Sequence, residues 1–210
     1  PLVRMVYAGP RRVRRRPFPQ GHRRSIYTYS ETQRNVTHSG IALDSLSLTS
    51  KLNAESGRIS GLEVSFYQPF KFLPSPFDGF GIDTNLTTIS SSEKIPTRPR
   101  EDIPFFRQPG RIANATVFYE KYGFSGRVAY TYSGRQIYTL GSTVLADIYR
   151  NPRWSVDVQM RYRFTSRFSM TGAVRNITRQ PEEFSYGING LMRTSRLLDR
   201  DYKLGVDFNF

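Results

Sequence analysis

The stretch RWSVDVQMRYRF at 153–164 is the clearest indication of the fold, because its apolar and polar residues alternate without a break. Such alternation indicates a β-strand with two unlike faces. One face carries Trp154, Val156, Val158, Met160, Tyr162 and Phe164, and the other carries Ser155, Asp157, Gln159, Arg161 and Arg163. The final stretch DYKLGVDFNF (201–210) repeats the pattern, with Tyr202, Leu204, Val206, Phe208 and Phe210 on one face.

Working outward, the same period predicts about eight strands, each close to the roughly nine to eleven residues that a tilted strand needs to cross a bilayer. They are 26–36, 57–69, 79–91, 111–121, 124–133, 153–164, 168–175 and 201–210. Short turns at 70–78, 122–123 and 165–166 alternate with long polar loops at 37–56, 92–109, 136–151 and 179–199. This predicts an all-β fold, an antiparallel transmembrane β-barrel segment with short periplasmic turns and long extracellular loops.

The charged residues of these strands predict which face meets lipid. An arginine or lysine at the bilayer midplane costs about 2–4 kcal/mol, so charged positions belong in a hydrated lumen. The predicted lumen-facing residues, which line a candidate ligand path, are Arg127, Asp157, Arg161, Arg163 and Arg175. The apolar sets of 153–164 and 201–210 are predicted to face lipid. A soluble sandwich with one solvated face remains the alternative.

Composition excludes several classes of function. The 210 residues contain no cysteine and two histidines, His22 and His38. Disulfide scaffolds, thiolate metal sites and cysteine nucleophiles are therefore excluded. No acidic pair has an identifiable catalytic partner. We expect no enzyme activity, no catalytic residue, no metal and no cofactor.

The net charge of +14 is concentrated at the start of the chain. Residues 1–25 contain eight arginines and no acid: Arg4, Arg11, Arg12, Arg14, Arg15, Arg16, Arg23 and Arg24. We interpret 1–25 as a basic segment that is disordered or derived from a frameshift. Read one nucleotide late, its codons allow a small-apolar run followed by Phe-x-Lys-Asp-Ile, the end of an alternating strand. The alternative is an arm that binds phosphate backbones.

A family resemblance rests on three stretches taken together. These are ANATVFYEKYGFSGRVAYTYSGRQ (113–136), SVDVQMRYRFTSRFSMTGAVRNITRQP (155–181) and YKLGVDFNF (202–210), with SGRISGLEVSFYQPFKFLPSPFDGFGIDTN (56–85) upstream. Residues 26–210 resemble the C-terminal β-barrel portion of a TonB-dependent outer-membrane receptor, and within that family the carbohydrate-uptake type.

The resemblance implies a barrel of about 22 strands around a plug. It implies the outer membrane of a Gram-negative bacterium and import of a small nutrient ligand driven by TonB. Expected partners are outer-membrane lipid, the barrel-assembly machinery, whose signal the terminal strand resembles, and TonB in the complete receptor only. No nucleic acid is expected. Because plug and TonB-contacting segments are not recognised here, we expect no transport by this chain alone.

Two alternatives remain open at this point. One is a self-contained eight-stranded outer-membrane barrel with a structural or adhesive role, since eight strands can close around side chains. The other is a soluble β-domain with a nucleic-acid-binding arm.

Overall fold

The computed structural model describes residues 3–6, 12–22, 25–187 and 190–208. Within these ranges the secondary structure is β-strand, apart from two single 3-10 turns at Phe77–Gly79 and Val144–Ala146. The described strands are β1 (Val3–Val6), β2 (Arg12–His22), β3 (Ile26–His38), β4 (Ile41–Asn53), β5 (Ser56–Pro69), β6 (Phe80–Lys94), β7 (Arg111–Lys121), β8 (Phe124–Ser133), β9 (Gln136–Thr139), β10 (Ile148–Arg150), β11 (Arg153–Arg163), β12 (Phe168–Arg175), β13 (Glu182–Tyr186), β14 (Leu191–Arg196) and β15 (Asp201–Phe208).

The main sheet contains nine of these strands in the order β1-β2-β5-β6-β7-β8-β11-β12-β15. Every neighbouring pair is antiparallel. Seven of the nine strands, β5, β6, β7, β8, β11, β12 and β15, match predicted strands. The prediction of an all-β antiparallel fold is therefore confirmed. The described strands form an open sheet rather than a closed barrel.

Short turns join neighbouring strands at one end of this sheet, which we call the short-turn end. Tyr122 and Gly123 have φ values of 56° and 77°, as a two-residue hairpin of the main sheet requires. A Cβ at Gly123 would lie 2.9 Å from the carbonyl oxygen of Arg163 on the next hairpin, so only glycine fits there. At the turn after β11, the Thr165 hydroxyl accepts the backbone N–H groups of Arg167 and Phe168 at 3.2 and 3.0 Å.

The predicted strand 26–36 does not join the main sheet. It forms part of β3, which pairs with β4 in a separate two-stranded sheet. The prediction of a loop at 37–56 is therefore wrong, since most of this range is strand β4. Both strands are largely exposed. A hairpin that is solvated on both faces does not need alternating apolar and polar residues, so its sequence indicates the strands only weakly.

Two further predicted loops, 136–151 and 179–199, also contain strands. β9, β10, β13 and β14 form a four-stranded antiparallel sheet at the opposite end of the molecule, the long-loop end. These strands have three to six residues each. Strands this short offer too few positions for a period of two to be recognised in the sequence.

The arginine-rich segment contains β2, which pairs with β5 from Arg12↔Tyr67 to His22↔Arg58. This pairing satisfies backbone groups at the edge of β5, and the interpretation of 1–25 as a disordered segment stays a prediction. Two prolines, Pro17 and Pro19, nevertheless lie inside β2 and cannot donate to the ladder. The register is irregular between Phe18 and Gly21. The frameshift origin of the segment stays a prediction.

The buried apolar cluster lies at the long-loop end and not in the main sheet. It consists of Tyr27, Ala54, Ile95, Ile103, Ile137 and Leu140, all at most 3% exposed. Leu140 exchanges backbone hydrogen bonds with the base of the β3–β4 hairpin, donating to Thr28 at 2.9 Å and accepting from Ser30 at 2.8 Å. This cluster joins the hairpin to the long loops.

Candidate functional site

The register of the main sheet sorts its side chains into two faces that continue from strand to strand. Val158 lies opposite Val128 and Val174, whereas Gln159 lies opposite Arg127 and Ala173. Since partners directly opposite each other share a face, the apolar set of each strand adjoins the apolar set of the next. We call the two sides the apolar face and the polar face.

The predicted lipid-facing residues of 153–164 and 201–208 occupy the apolar face. Trp154, Val156, Val158, Met160 and Tyr162 of β11 continue through β12 to Tyr202, Leu204, Val206 and Phe208 of β15. On β15 these side chains are exposed in the described structure, and Leu204 is 79% exposed. Phe164 follows β11 and is 53% exposed, and Phe210 lies outside the described residues.

Aromatic rings lie at both ends of the apolar face. Near the short-turn end, Tyr162 and Phe164 make an edge contact at 4.7 Å between ring centroids, and Phe80 and Tyr119 do the same at 4.7 Å. Towards the long-loop end, Trp154 lies 6.1 Å from Tyr130. Trp154 and Tyr162 are eight positions apart on one strand, or about 26 Å. Tilted by about 40°, a strand of that length spans about 20 Å along the membrane normal, and an apolar band between two aromatic girdles is typical of the outer surface of a membrane barrel.

The polar face carries the predicted lumen-facing residues. Asp157 accepts the backbone N–H of Asn176 at 2.8 Å, which fixes the end of β12. Arg175, at the end of that strand, pairs in register with Asp201. These two lie towards the long-loop end, apart from the other three.

The structure brings Arg127, Arg161 and Arg163 together at the short-turn end. With Glu120, Ser125 and Gln159 they line a cleft of about 580 Å³, which we call the arginine cleft. Arg161 donates to the Ser169 hydroxyl at 2.9 Å and lies 3.4 Å from the Asp207 carboxylate. Among the described residues, Arg127 and Arg163 form no side-chain hydrogen bond or ion pair.

Sequence reasoning missed a second polar network, on β5 and β6. The Asn85 amide donates to Glu63 at 2.8 Å and to Ser65 at 3.0 Å, and Asn85 accepts from Thr87 at 3.2 Å. The alternation of Asp83, Asn85 and Thr87 was the signal that could have identified it. This network extends the polar face towards β2.

A buried ion pair, also missed, connects the long loops. Arg98 donates to Asp147 at 2.6 Å and pairs with Glu101, and Asp147 also accepts the Gly141 N–H at 2.9 Å. The Asp147 carbonyl accepts the backbone N–H of Gly187 at 2.8 Å. Burial opposes the charged form of Arg98, yet its bonds to Glu101 and Asp147 raise its pKa above the usual value. Burial raises the pKa of Asp147, and its bonds to Arg98 and to the Gly141 N–H oppose that effect. The contacts of Arg98 and Asp147 connect three loops.

Two arginines at the long-loop end stack on tyrosine rings. The Arg135 guanidinium lies 3.9 Å from the Tyr149 ring centroid, and Arg107 lies 4.5 Å from that of Tyr138. Arg135 also donates to the Gly187 carbonyl at 2.5 Å. These contacts order the loop surface by cation–π attraction.

Neither a metal cluster nor a membrane-spanning helix is found in the described part of the chain. No group of three or more histidine, cysteine, aspartate or glutamate side chains is placed to hold a metal ion there. No helix in those ranges is long and apolar enough to cross a bilayer.

An apolar girdled face, a charged opposite face and long loops at one end define the class as the wall of an outer-membrane-type β-barrel. A family model described as TonB dependent receptor-like, beta-barrel, matches residues 23–177. The chain belongs to this family.

Solved structures agree on the fold. The copper transporter OprC superposes with a TM-score of 0.63 at 14% identity, over 97% of this chain and 30% of that one. The ferric enterobactin receptor PfeA from Pseudomonas aeruginosa, as its G324V mutant, gives a TM-score of 0.56 at 14% identity, over 99% and 30%. The chain thus spans about a third of the length of these proteins. No curated protein matches it.

Proposed function

We propose that this chain forms part of the barrel wall of a receptor in the outer membrane of a Gram-negative bacterium. The receptor binds a small nutrient ligand at the cell surface and imports it with energy from TonB. The observation that carries this proposal is the continuous division of seven neighbouring strands into an apolar and a polar face.

Energetics support lipid on the apolar face and water on the polar face. Turning Arg127 or Arg161 towards hydrocarbon would cost about 2–4 kcal/mol for each residue near the midplane. The apolar face carries exposed Leu204 and Val206 instead, which gain free energy in lipid. Outer-membrane lipid and the barrel-assembly machinery are accordingly proposed partners, and TonB is a proposed partner of the complete receptor.

For the ligand, we propose a chemical class rather than a particular compound. The similar structures are a copper transporter and a ferric enterobactin receptor, so the same barrel-wall fold occurs in proteins named for different ligands. We propose an oligosaccharide, which is supported by the resemblance of 26–210 to the carbohydrate-uptake type. Growth on single oligosaccharides with and without the receptor tests this choice separately from the fold.

Single cysteines test the orientation, because the chain has no cysteine of its own. Val158 and Gln159 are adjacent on β11 and lie on opposite faces. In the receptor that contains this chain, we expect Gln159→Cys to react with a water-soluble thiol reagent. The matched Val158→Cys should react only with a lipid-soluble one. Equal reaction of both with the water-soluble reagent contradicts a membrane barrel and favours a soluble β-domain.

A further inference from the structure

A groove lies on the apolar face near the short-turn end, and we call it the apolar groove. Strands β7, β8 and β11 contribute Val117, Val128 and Met160 to it, and these side chains are 48%, 47% and 51% exposed. Phe77 of the turn after β5 also lines it. Its volume of about 480 Å³ lies within the range of small-molecule sites. The lining is almost wholly apolar, so an apolar ligand would gain free energy by leaving water for this groove.

Aromatic rings shape the end of the groove that is nearest the turns. The Tyr119 ring lies 4.7 Å from that of Phe80 and 6.1 Å from that of Phe124, measured between centroids. Two glycines lie beneath these rings. A Cβ at Gly79 would lie 2.8 Å from the Tyr119 ring, and one at Gly126 would lie 2.8 Å from the Phe124 ring. Because the glycines have no side chains, the rings lie close to the backbone, and the groove stays open beside them.

A polar cluster adjoins the groove at the same end. Asp78 directly follows Phe77, and Lys121 lies two positions beyond Tyr119 on the same face of β7. Lys121 donates to the Asp78 carboxylate at 2.5 Å and to the Ser75 hydroxyl at 3.0 Å. A ligand that lay along the groove would therefore meet this cluster with one end.

The cluster has a net charge of +1. Lys121 and Asp78 neutralise each other, and Lys71 adds a second ammonium group. The pKa of the Asp78 carboxyl is lowered first by the hydrogen bond from Lys121 and also by the charge of Lys71, which lies nearby. Lys71 is exposed and forms no ion pair with any residue that the structure describes. A group with one negative charge would therefore balance the cluster.

We propose that the apolar groove binds one acyl chain of a phospholipid whose anionic headgroup lies beside Lys71 and Lys121. The phosphodiester of such a lipid carries one negative charge, which matches the net charge of the cluster, and basic residues at a membrane surface attract anionic lipids. The inference rests on the proposed function, which places the apolar face in lipid and the short-turn end at the periplasmic side. Phospholipid of that leaflet has its headgroup at the level of the turns and its chains along the apolar face.

Native mass spectrometry of the delipidated receptor in detergent tests the headgroup. Phosphatidylglycerol and the zwitterionic phosphatidylethanolamine are the probes, and we expect one phosphatidylglycerol to bind more tightly. Lys71→Gln should weaken its binding about fivefold, the usual contribution of one basic residue near anionic lipid, with little change for phosphatidylethanolamine. Lys71→Arg keeps the charge and should bind like the parent. Lys51→Gln is the matched control, because it removes the same charge from an exposed position of β4, in the separate hairpin.

Filling the groove tests the acyl chain. Val128→Trp places a large ring in the groove and should weaken the binding of both lipids. Leu62→Trp is the matched control, since it adds the same ring to the same face on β5 outside the groove and should leave binding unchanged. Val128 and Leu62 are 47% and 44% exposed, so neither substitution overpacks a buried core.

Equal affinity for the two lipids overturns the proposal. Unchanged phosphatidylglycerol binding in Lys71→Gln or in Val128→Trp also overturns it. A disulfide between two copies through Val128→Cys in the membrane would assign the groove to a protein contact, with the same consequence. The cysteine-labelling test separates this result from the proposed function. If Val158→Cys is protected from the water-soluble reagent while phosphatidylglycerol does not bind, the lipid site fails and the proposed function stands.

Discussion

At the scale of single residues, the most constrained contact is the Arg98–Asp147 pair. Its side chains are 5% and 1% exposed and come from positions 49 residues apart. The Gly141 N–H and Glu101 add further bonds to the pair, whereas Nε of Arg98 is buried without a hydrogen-bond partner in the described structure. A buried ion pair of this kind adds little stability compared with apolar residues of similar volume. Removing one partner, however, leaves the charge of the other buried and less well paired. The pair therefore specifies how the loops meet.

Asp147→Leu should destabilise the long-loop end by up to about 3–5 kcal/mol, because it removes the more buried of the two carboxylates that pair with Arg98. Hydrogen exchange of residues 95–103 and 140–148 in the receptor measures this. Asp102→Asn is the control, since it breaks only the exposed Lys94–Asp102 pair and should leave hydrogen exchange of these segments nearly unchanged. Equal protection in both variants would show that the pair does not hold the loops.

At the short-turn end, stability should depend on pH through Asp78. The Lys121 ammonium donates to Asp78 at 2.5 Å and holds the pKa of that carboxyl below its usual value. A lowered folded-state pKa stabilises the turn above the ordinary aspartate pKa, and this contribution is lost as pH falls through the folded value. Protection of 70–79 against hydrogen exchange, relative to the intrinsic amide exchange rate at each pH, should fall below about pH 4.

Asp78→Asn provides the control for this pH dependence. The variant should exchange faster than the parent at neutral pH and should show a flatter profile in acid. An unchanged profile would assign the dependence to another group.

At the scale of elements, neighbouring strands pack around a glycine that lies beneath an aromatic ring. Gly81 of β6 lies opposite Phe118 of β7, and a Cβ at Gly81 would lie 2.2 Å from the Phe118 ring. The same ring stacks on Tyr67 at 5.7 Å with an 11° interplanar angle. Phe118 thus covers Gly81 and contacts β5, so one side chain contributes to the packing of three strands.

Gly81→Ala should destabilise the barrel by about 1–3 kcal/mol, because the added methyl displaces the Phe118 ring. Gly172→Ala is the matched control, since nothing lies within 4 Å of a Cβ there. Combining Gly81→Ala with Phe118→Ala should give less than the sum of the single losses. Urea unfolding in detergent measures all four variants. Additive losses would mean that the ring and the glycine do not interact.

At the scale of the whole molecule, the described chain has little protein core under its main sheet. The buried apolar cluster belongs to the long-loop end, whereas Tyr202, Leu204, Val206 and Phe208 are 56–79% exposed. The described sheet also ends in two open edges, β1 and β15. In the proposed receptor, lipid and further strands supply the stabilisation that a buried core supplies in a soluble protein.

The polypeptide 1–210 produced by itself should therefore aggregate rather than close. Unpaired backbone groups at a sheet edge cost several kcal/mol each in lipid, and an open wall has two such edges. Gel migration before and after heating, together with protease digestion in detergent, checks this. A protease-resistant monomer whose migration changes on heating would instead support the self-contained eight-stranded barrel.

The alternation in 153–164 and 201–208 was sufficient to predict strands, faces and short turns, because a period of two is a property of neighbouring residues along one strand. The predicted faces of Trp154 to Tyr162 agree with the register for this reason. Nothing local in the sequence shows that Arg98 meets Asp147 or that β3 pairs with β4 outside the main sheet. Only the tertiary structure decided these, because they depend on contacts between distant loops whose polar residues carry no period.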